Sequence, residues 1–238
     1  MDISIIIPVY NEENNLNVLF KELKSCIRFL RKEYEIIFIN DGSIDNSGAI
    51  LDEISMSDKN VKVIHFDNNY GQTAAIDAGL RYAKGDYILS MDADLQYKTE
   101  DAINVFLNLK DYDAVFCSRV GRRKADGFIK AVSSKIAYYV RNKILRENFS
   151  DICSLRGFRR DCLRNITLYK NFEVFIPSLI RIAGFRIKEI KINSYPRKFG
   201  RSKYNISNRL WKGLIALFVV KWMQNERLVY RVKKITEG

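Results

Sequence analysis

Short β-branched runs alternate with helical periods through the first half of the chain. Residues 3–7 (Ile3-Ser-Ile-Ile-Ile7) read as a strand. Residues 14–30 bring Leu16, Leu19, Phe20, Leu23, Ile27 and Leu30 to one side of a 3.6-residue repeat, which predicts a helix. The alternation continues with a strand over 35–39, a helix over 45–56 and a strand over 61–66. A helix over 72–82, a strand over 87–91 and a helix over 99–109 complete it. Strands this apolar, separated by helices, predict an α/β fold whose mostly parallel sheet is covered by helices on both faces.

Ligands of such sheets sit beyond the carboxyl ends of the strands. Three polar clusters fall there. Pro8-Val-Tyr-Asn-Glu12 follows the first strand, Asn40-Asp-Gly-Ser43 the second and Asp92-Ala-Asp94 the fourth, so all three are expected on one rim.

The pattern changes after a short apolar strand at 115–118. Residues 119–146 are rich in Arg and Lys, with an amphipathic helix over 127–145. The segment 151–161, a helix near 175–183 and a strand over 186–192 come next. Then follow the basic loop Tyr195-Pro-Arg-Lys-Phe-Gly-Arg-Ser-Lys-Tyr204 and a last helix over 206–223. Residues 1–205 are expected to form one domain, and 206–238 a C-terminal amphipathic helix and tail.

Composition narrows the partners. The 238 residues are 47% hydrophobic with only 3 prolines, enough to bury a core and against disorder of the whole chain. Forty basic against 28 acidic residues give a net charge of +12, which favours anionic partners. Cys26, Cys117, Cys153 and Cys162 lack metal-type spacing and fit reduced core residues of an intracellular protein. His65, the only histidine, ends a strand and reads as structural. Met1 leads straight into the first strand without the basic region or cleavage site of a signal peptide. The longest apolar run, 214–220, is far short of the roughly 20 residues a spanning helix needs.

Asp92 and Asp94 end an apolar strand one residue apart, so their carboxylates can face one side. Oxygen pairs of this type suit Mg²⁺ or Mn²⁺, which can bridge substrate phosphates. The bland alternative is that Asp92 ends the strand and Asp94 caps the next helix.

The chain resembles a family 2 glycosyltransferase of GT-A fold, and more narrowly the branch of dolichol-phosphate mannose synthases and polyprenyl-phosphate glycosyltransferases. The matching segments are Ile5-Ile-Ile-Pro-Val-Tyr-Asn-Glu-Glu13, Asn40-Asp-Gly-Ser43, Asn69-Tyr-Gly71 with Ala78-Gly79, and Met91-Asp-Ala-Asp-Leu-Gln96. Ser118-Arg119, Gly157-Phe158-Arg159 and Arg197-x-x-Gly200-x-Ser202-Lys203-Tyr204 also match, so the likeness covers residues 3 to about 205. It implies that Pro8, Tyr10 and Glu12 line the nucleotide pocket and that Ile39 and Asp41 contact base or ribose. By the same resemblance Asp92, Ala93 and Asp94 hold the diphosphate, Asp94 and Gln96 ligate the metal, and Arg119, Arg197 and Lys203 meet phosphate. Asn40 departs from the usual Asp-Asp-Gly-Ser, leaving one carboxylate of two.

The acceptor decides the mechanism. A sugar hydroxyl needs a general base, whereas a phosphomonoester is largely dianionic at neutral pH and attacks unaided. Arg119, Arg122, Arg123, Lys124 and Lys130 offer the cationic positioning that a phosphate acceptor requires. The resemblance further implies that Lys130 and Ser134 touch lipid phosphate; the alternative is a solvated basic helix face. Glu173 argues for a hydroxyl acceptor as a candidate base, but its neighbour is Phe172 and the Glu-Asp pair of hydroxyl-directed relatives is missing.

The terminal helix is expected to carry Ile206, Leu210, Trp211, Leu214, Leu217 and Phe218 on one apolar face, flanked by Arg209, Lys212, Lys221 and Trp222. Such a face suits an anionic membrane interface or docking on the catalytic domain or on a small membrane-anchoring protein. The expectation is a metal-dependent inverting transferase that uses a GDP- or UDP-sugar and a polyprenyl phosphate on the cytoplasmic membrane face. The alternatives are a family 2 enzyme acting on a glycan hydroxyl and, in a different class, a basic nucleic-acid-binding protein. The last lacks any recognised motif, and no nucleic-acid partner is expected.

Overall fold

Consecutive isoleucines in β1 (Ile3–Val9) face opposite ways: Ile3, Ile5 and Ile7 enter one core and Ile6 another. A strand with no solvent face belongs inside a sheet covered on both sides. The computed structural model describes residues 1–120, 128–163, 166–170, 172–196 and 206–227, and within these the side chains other than those of 128–135 and 206–212.

Among the described residues a seven-stranded sheet runs in the order β3-β2-β1-β4-β6-β5-β7. β1 pairs in parallel with β2 (Tyr34–Asn40) and β4 (Tyr87–Ser90), and β2 with β3 (Val61–His65). β5 (Ala114–Val120) and β7 (Ile187–Asn193) are also parallel. β6 (Ile152–Arg159) lies between β4 and β5 and runs against both. The sequence pattern does not single out β6 as a strand, because Ser154, Arg156 and Gly157 interrupt its apolar run.

α1 (Glu13–Arg28), α2 (Ser47–Ser57) and α4 (Thr99–Asn108) cover one face through Leu16, Leu19, Leu51, Val105 and Phe106. α3 (Gln72–Tyr82) and α6 (Ile176–Ile182) cover the other, where Ala75, Ile176 and Ile180 meet Phe116 and Phe158. All four cysteines are buried and unbridged. At the amino ends of the strands, Glu35 accepts hydrogen bonds from Ser4 Oγ (2.6 Å), the Lys84 N–H (2.6 Å) and Lys62 Nζ (3.2 Å). Burial works to raise its pKa, but these bonds and the Lys62 charge together hold it below the ordinary value. This carboxylate therefore stabilises the sheet at the end opposite the rim.

A third core joins α5 (Phe128–Leu145), α6 and α7 (Ile206–Asn225) through Leu145, Phe172, Phe175, Leu179, Ala216, Leu217 and Val220. Beneath it Arg141 donates to Ser178 Oγ (2.9 Å) and pairs with Glu147 (3.3 Å). The single apolar face expected on the terminal helix is split. Leu217 is buried, whereas Leu214 and Phe218 are exposed together with Ile215, Val219 and Trp222. Over 214–220 the helix is apolar all round, so docking one side leaves the other uncovered.

Candidate active site

Parallel register brings the carboxyl ends of β1, β2 and β4 together. The Asp41 N–H donates to the Val9 carbonyl (2.8 Å), and the Met91 N–H to the Ile6 carbonyl (3.1 Å). The first two polar clusters interlock. The Asn11 N–H donates to Ser43 Oγ (2.9 Å), the Ile44 N–H to Asn11 Oδ1 (2.8 Å) and the Glu12 N–H to Ser47 Oγ (2.9 Å). Asn40 Oδ1 accepts the Ser43 N–H at 3.0 Å, and its amide nitrogen lies 3.0 Å from His65 Nδ1. His65 Nε2 is 3.0 Å from Asp52, so the histidine braces the back of the loop.

Asp41 is buried, and its two oxygens gather the 69–71 loop. They accept the Tyr70 N–H (2.7 Å), the Gly71 N–H (2.9 Å to the nearer oxygen) and Asn69 Nδ2 (3.0 Å). Burial raises its pKa, and the two backbone donors counter part of that rise. Asp41 therefore holds this loop against the carboxyl end of β2. Ile39 is fully buried in the core against α3, so its backbone is what it presents toward the rim. Pro8, Tyr10 and Glu12 are half-buried at the rim, and Glu12 accepts from Asn15 Nδ2 at 2.6 Å.

In the third cluster Asp92 Oδ1 accepts Gln72 Nε2 at 2.7 Å. Its N–H donates to the Tyr97 hydroxyl, which is 3.0 Å from Ser154 Oγ. Burial, and after it the Asp92 and Asp94 charges, raise the Tyr97 pKa far above its ordinary value, so the phenol stays neutral. Ala93 and Asp94 are buried. Leu95 adopts a left-handed φ of +56°, uncommon for a branched side chain, while its side chain packs in the core. That turn brings the Gln96 N–H to Asp94 Oδ1 (3.2 Å). Asn11, also on the rim, has φ +53°; strain of this kind gathers at functional sites.

The remaining expected residues divide. Gln96 O accepts the Tyr195 N–H at 2.9 Å and the Ser194 N–H reaches Val120 O at 3.1 Å, so the chain leaving β7 starts beside the third cluster. Arg197 and Lys203 lie just beyond, outside the described residues. Arg119 pairs with Asp151 at 3.2 Å. Lys130 and Ser134 belong to the helical backbone of α5, but their side chains are outside the described set. Glu173 accepts a hydrogen bond from Thr73 Oγ1, and its carbonyl accepts from Arg156 Nη1 at 2.8 Å. Sequence reasoning missed Gln72, Thr73, Tyr97, Ser154 and Arg156. The one signal available was Arg156, a charge between Leu155 and Gly157 in a segment that also holds Cys153 and Phe158.

Carboxylates gathered beyond the carboxyl ends of a mostly parallel sheet stand where ligands of α/β proteins bind. Residues 4–167 match the family described as glycosyl transferase family 2, and the chain belongs to that family. It is 35% identical over 207 residues to the undecaprenyl-phosphate 4-deoxy-4-formamido-L-arabinose transferase of Proteus mirabilis (strain HI4320). That match covers 85% of this chain but 63% of the relative, so this chain spans less than two thirds of that protein's length. The fold resembles glucosyl-3-phosphoglycerate synthase from Mycobacterium tuberculosis, solved with Mn²⁺, UDP-glucose and phosphoglyceric acid. There the TM-score is 0.71 at 13% identity, covering 93% of this chain and 80% of that one. It also resembles the mannosyltransferase PcManGT from Pyrobaculum calidifontis, solved with GDP-Man and Mn²⁺. For this pair the TM-score is 0.62 at 18% identity, covering 91% of this chain and 63% of that one.

Proposed function

We propose that this chain is a metal-dependent inverting glycosyltransferase that moves a sugar from a nucleotide-sugar to a polyprenyl phosphate. One observation carries the reading: residues 8–12 and 40–43, hydrogen-bonded to each other, share a rim with residues 92–94, which begin one residue beyond the Met91–Ile6 backbone bond. The likeness to an undecaprenyl-phosphate sugar transferase supports the acceptor class. The Mn²⁺-bound solved structures support a divalent cation.

The donor set fits such an ion. It is all oxygen, with the buried Asp94 carboxylate and the Gln96 side chain as ligands and Asp92 adjacent. Among the described residues no group of three or more His, Cys, Asp or Glu is arranged to hold a metal ion by itself. Few protein ligands are what Mg²⁺ or Mn²⁺ accept when substrate phosphates complete the shell. Bound there, the cation would neutralise the diphosphate of the leaving group. Asp41 holds the loop that walls the nucleotide, and Tyr97 fixes the backbone of Asp92. Arg119, Arg197 and Lys203 add positive charge where the diphosphate departs. One oxygen of the acceptor phosphate attacks the anomeric carbon from the face opposite the diphosphate. The bond to the diphosphate breaks, and the nucleoside diphosphate leaves with its electron pair. No proton need be removed from a dianionic acceptor, so no base is required. Lys130 and Ser134 would receive the lipid phosphate.

The test is a panel of GDP- and UDP-sugars with a short polyprenyl phosphate and Mn²⁺ or Mg²⁺, scored for glycolipid. Glycolipid from one donor is the expected result. Glu173→Gln should keep most of that activity, within about tenfold. A loss of several orders of magnitude in turnover would instead assign Glu173 as base and a hydroxyl as acceptor.

A lipid acceptor requires the rim to reach a membrane, here its cytoplasmic face. No helix among the described residues is long and apolar enough to cross one. The exposed Ile215, Phe218 and Trp222 of α7, with Ile136 and Tyr139 of α5, supply an apolar surface on a strongly basic chain. Phe218→Gln with Trp222→Gln leaves the buried side of α7 intact. We expect this variant to lose flotation with liposomes containing anionic lipid while melting as the parent does. Unchanged flotation removes the interfacial role and favours a membrane-anchoring partner.

A further inference from the structure

Three consecutive residues at the start of α3 each hold a different carboxylate. The Gly71 N–H donates to Asp41 at 2.9 Å, Gln72 Nε2 to Asp92 at 2.7 Å and Thr73 Oγ1 to Glu173. Successive helical residues point about 100° apart, so a single turn reaches all three. The amino end of a helix also carries partial positive charge, which suits carboxylates. α3 is seated closely on the sheet, since a Cβ at Gly79 would lie 2.4 Å from Ile6 Cγ2 of β1. Of the three bonds, the last joins the most distant parts of the fold. Glu173 opens the turn Glu173–Phe175 that leads into α6. Phe172 and Phe175, on either side of it, belong to the core that seats α5 and α7. The main chain here has its own support, because Arg156 Nη1 of β6 donates to the Glu173 carbonyl at 2.8 Å. The segment thus keeps a backbone anchor when the Glu173 side chain is altered.

We propose that Thr73 and Glu173 are positioning residues, whose hydrogen bond tethers the layer of α5, α6 and α7 to the turn of α3 that also holds Asp92. Thr73 is buried at the head of α3, and its β-branched side chain has few rotamers. A hydrogen bond to a carboxylate is stronger than one between neutral groups, so a single pair can hold two layers in register. The tether gives Glu173 a task that needs an acceptor oxygen and no proton transfer. Glutamine supplies such an oxygen, which accounts for the small loss expected of Glu173→Gln. The tether then sets how far Asp92 stands from the helix α5 that is to meet the acceptor phosphate. That last step rests on the acceptor reading given above, whereas the bond between α3 and the Glu173 turn does not.

A double-mutant cycle in the full chain tests it, with Thr73→Val, Glu173→Met and the two together, beside the conservative Thr73→Ser and Glu173→Gln. Acceptor KM is measured with a short polyprenyl phosphate at saturating donor. It should rise about five-fold in each of the first two variants and no further in the double variant. Donor KM should stay within about twofold of the parent, because Gln72 still holds Asp92. Thr73→Ser keeps the hydroxyl and Glu173→Gln the accepting oxygen, so both should show the parental acceptor KM. Thermal melting follows the same cycle without any acceptor. Each single variant should melt about 5 °C below the parent, and the double variant no lower than either. Additive losses on the cycle, an acceptor KM that does not move, or a donor KM that rises as much as the acceptor KM would overturn the proposal. So would a loss of several orders of magnitude in turnover by Glu173→Gln, which would assign that carboxylate to proton transfer. A parent that forms no glycolipid defeats the acceptor reading instead, and the melting cycle then decides the tether.

Discussion

Asp94→Asn is expected to lose sugar transfer by about 10³-fold while melting within a few degrees of the parent. The two halves of that expectation have separate causes. Asp94 is 4% exposed, and its Oδ1 accepts the Gln96 N–H across the strained turn at Leu95. Asparagine keeps a carbonyl oxygen at that place, so the turn and the core packing of Leu95 survive. What asparagine lacks is the charge. A hard divalent ion held by few protein ligands depends on carboxylate charge. A nucleoside diphosphate leaves slowly until its own charge is met. The measurement is glycolipid formation at saturating donor with Mn²⁺ raised to several millimolar. Recovery of most activity at high Mn²⁺ would reassign Asp94 to affinity alone, and turnover within tenfold of the parent would remove its metal role.

The parts legible in the sequence are those fixed by periodicity. β1 and β2 are buried on both faces, which produces unbroken apolar runs, and the intervening helices carry an apolar stripe. Parallel strands then force residues 8–12, 40–43 and 92–94 to one edge, whatever their separation in the chain. β6 was not legible, because its neighbours on both sides are antiparallel and its middle residues are Arg156 and Gly157. The arginine donates to the Glu173 carbonyl. The glycine serves packing, since a Cβ there would lie 2.5 Å from Val105 Cγ1 of α4. Neither follows from hydropathy.

Side-chain contacts between distant residues were likewise hidden. Thr73 and Glu173 are 100 residues apart, and Tyr97 and Ser154 are 57 apart. Motif matching gives Asp41 a ligand contact but not the Tyr70 and Gly71 N–H groups that its carboxylate also accepts. The terminal helix shows the same limit from another side. Its apolar residues encircle it, and only the seat offered by Phe172, Phe175 and Leu179 decides which of them are covered.

Gly42→Ala should damage the nucleotide end of the site more than any other single-methyl change. Gly42 has a left-handed φ of +65°. A Cβ there would lie 2.4 Å from the Asn68 carbonyl carbon and 2.6 Å from the Asn69 nitrogen. Those atoms are backbone and have no rotamer into which to retreat. Left-handed alanine costs about 1–2 kcal/mol, and relieving the overlap costs about 1–3 kcal/mol more. Together these predict a fall in melting temperature of about 10 °C. The functional loss follows from what must move. The 68–69 backbone leads directly into the Tyr70 and Gly71 N–H groups that Asp41 holds, so the wall shifts away from the carboxylate that anchors it. Donor KM should rise at least about tenfold, the effect of about 1.4 kcal/mol in binding, with kcat less affected because the 92–96 turn is untouched. Thermal melting and donor titration at saturating acceptor measure the two effects. A parent-like KM in a variant that melts well below the parent would separate the 40–43 loop from nucleotide recognition and leave it a purely structural hinge between β2 and α2.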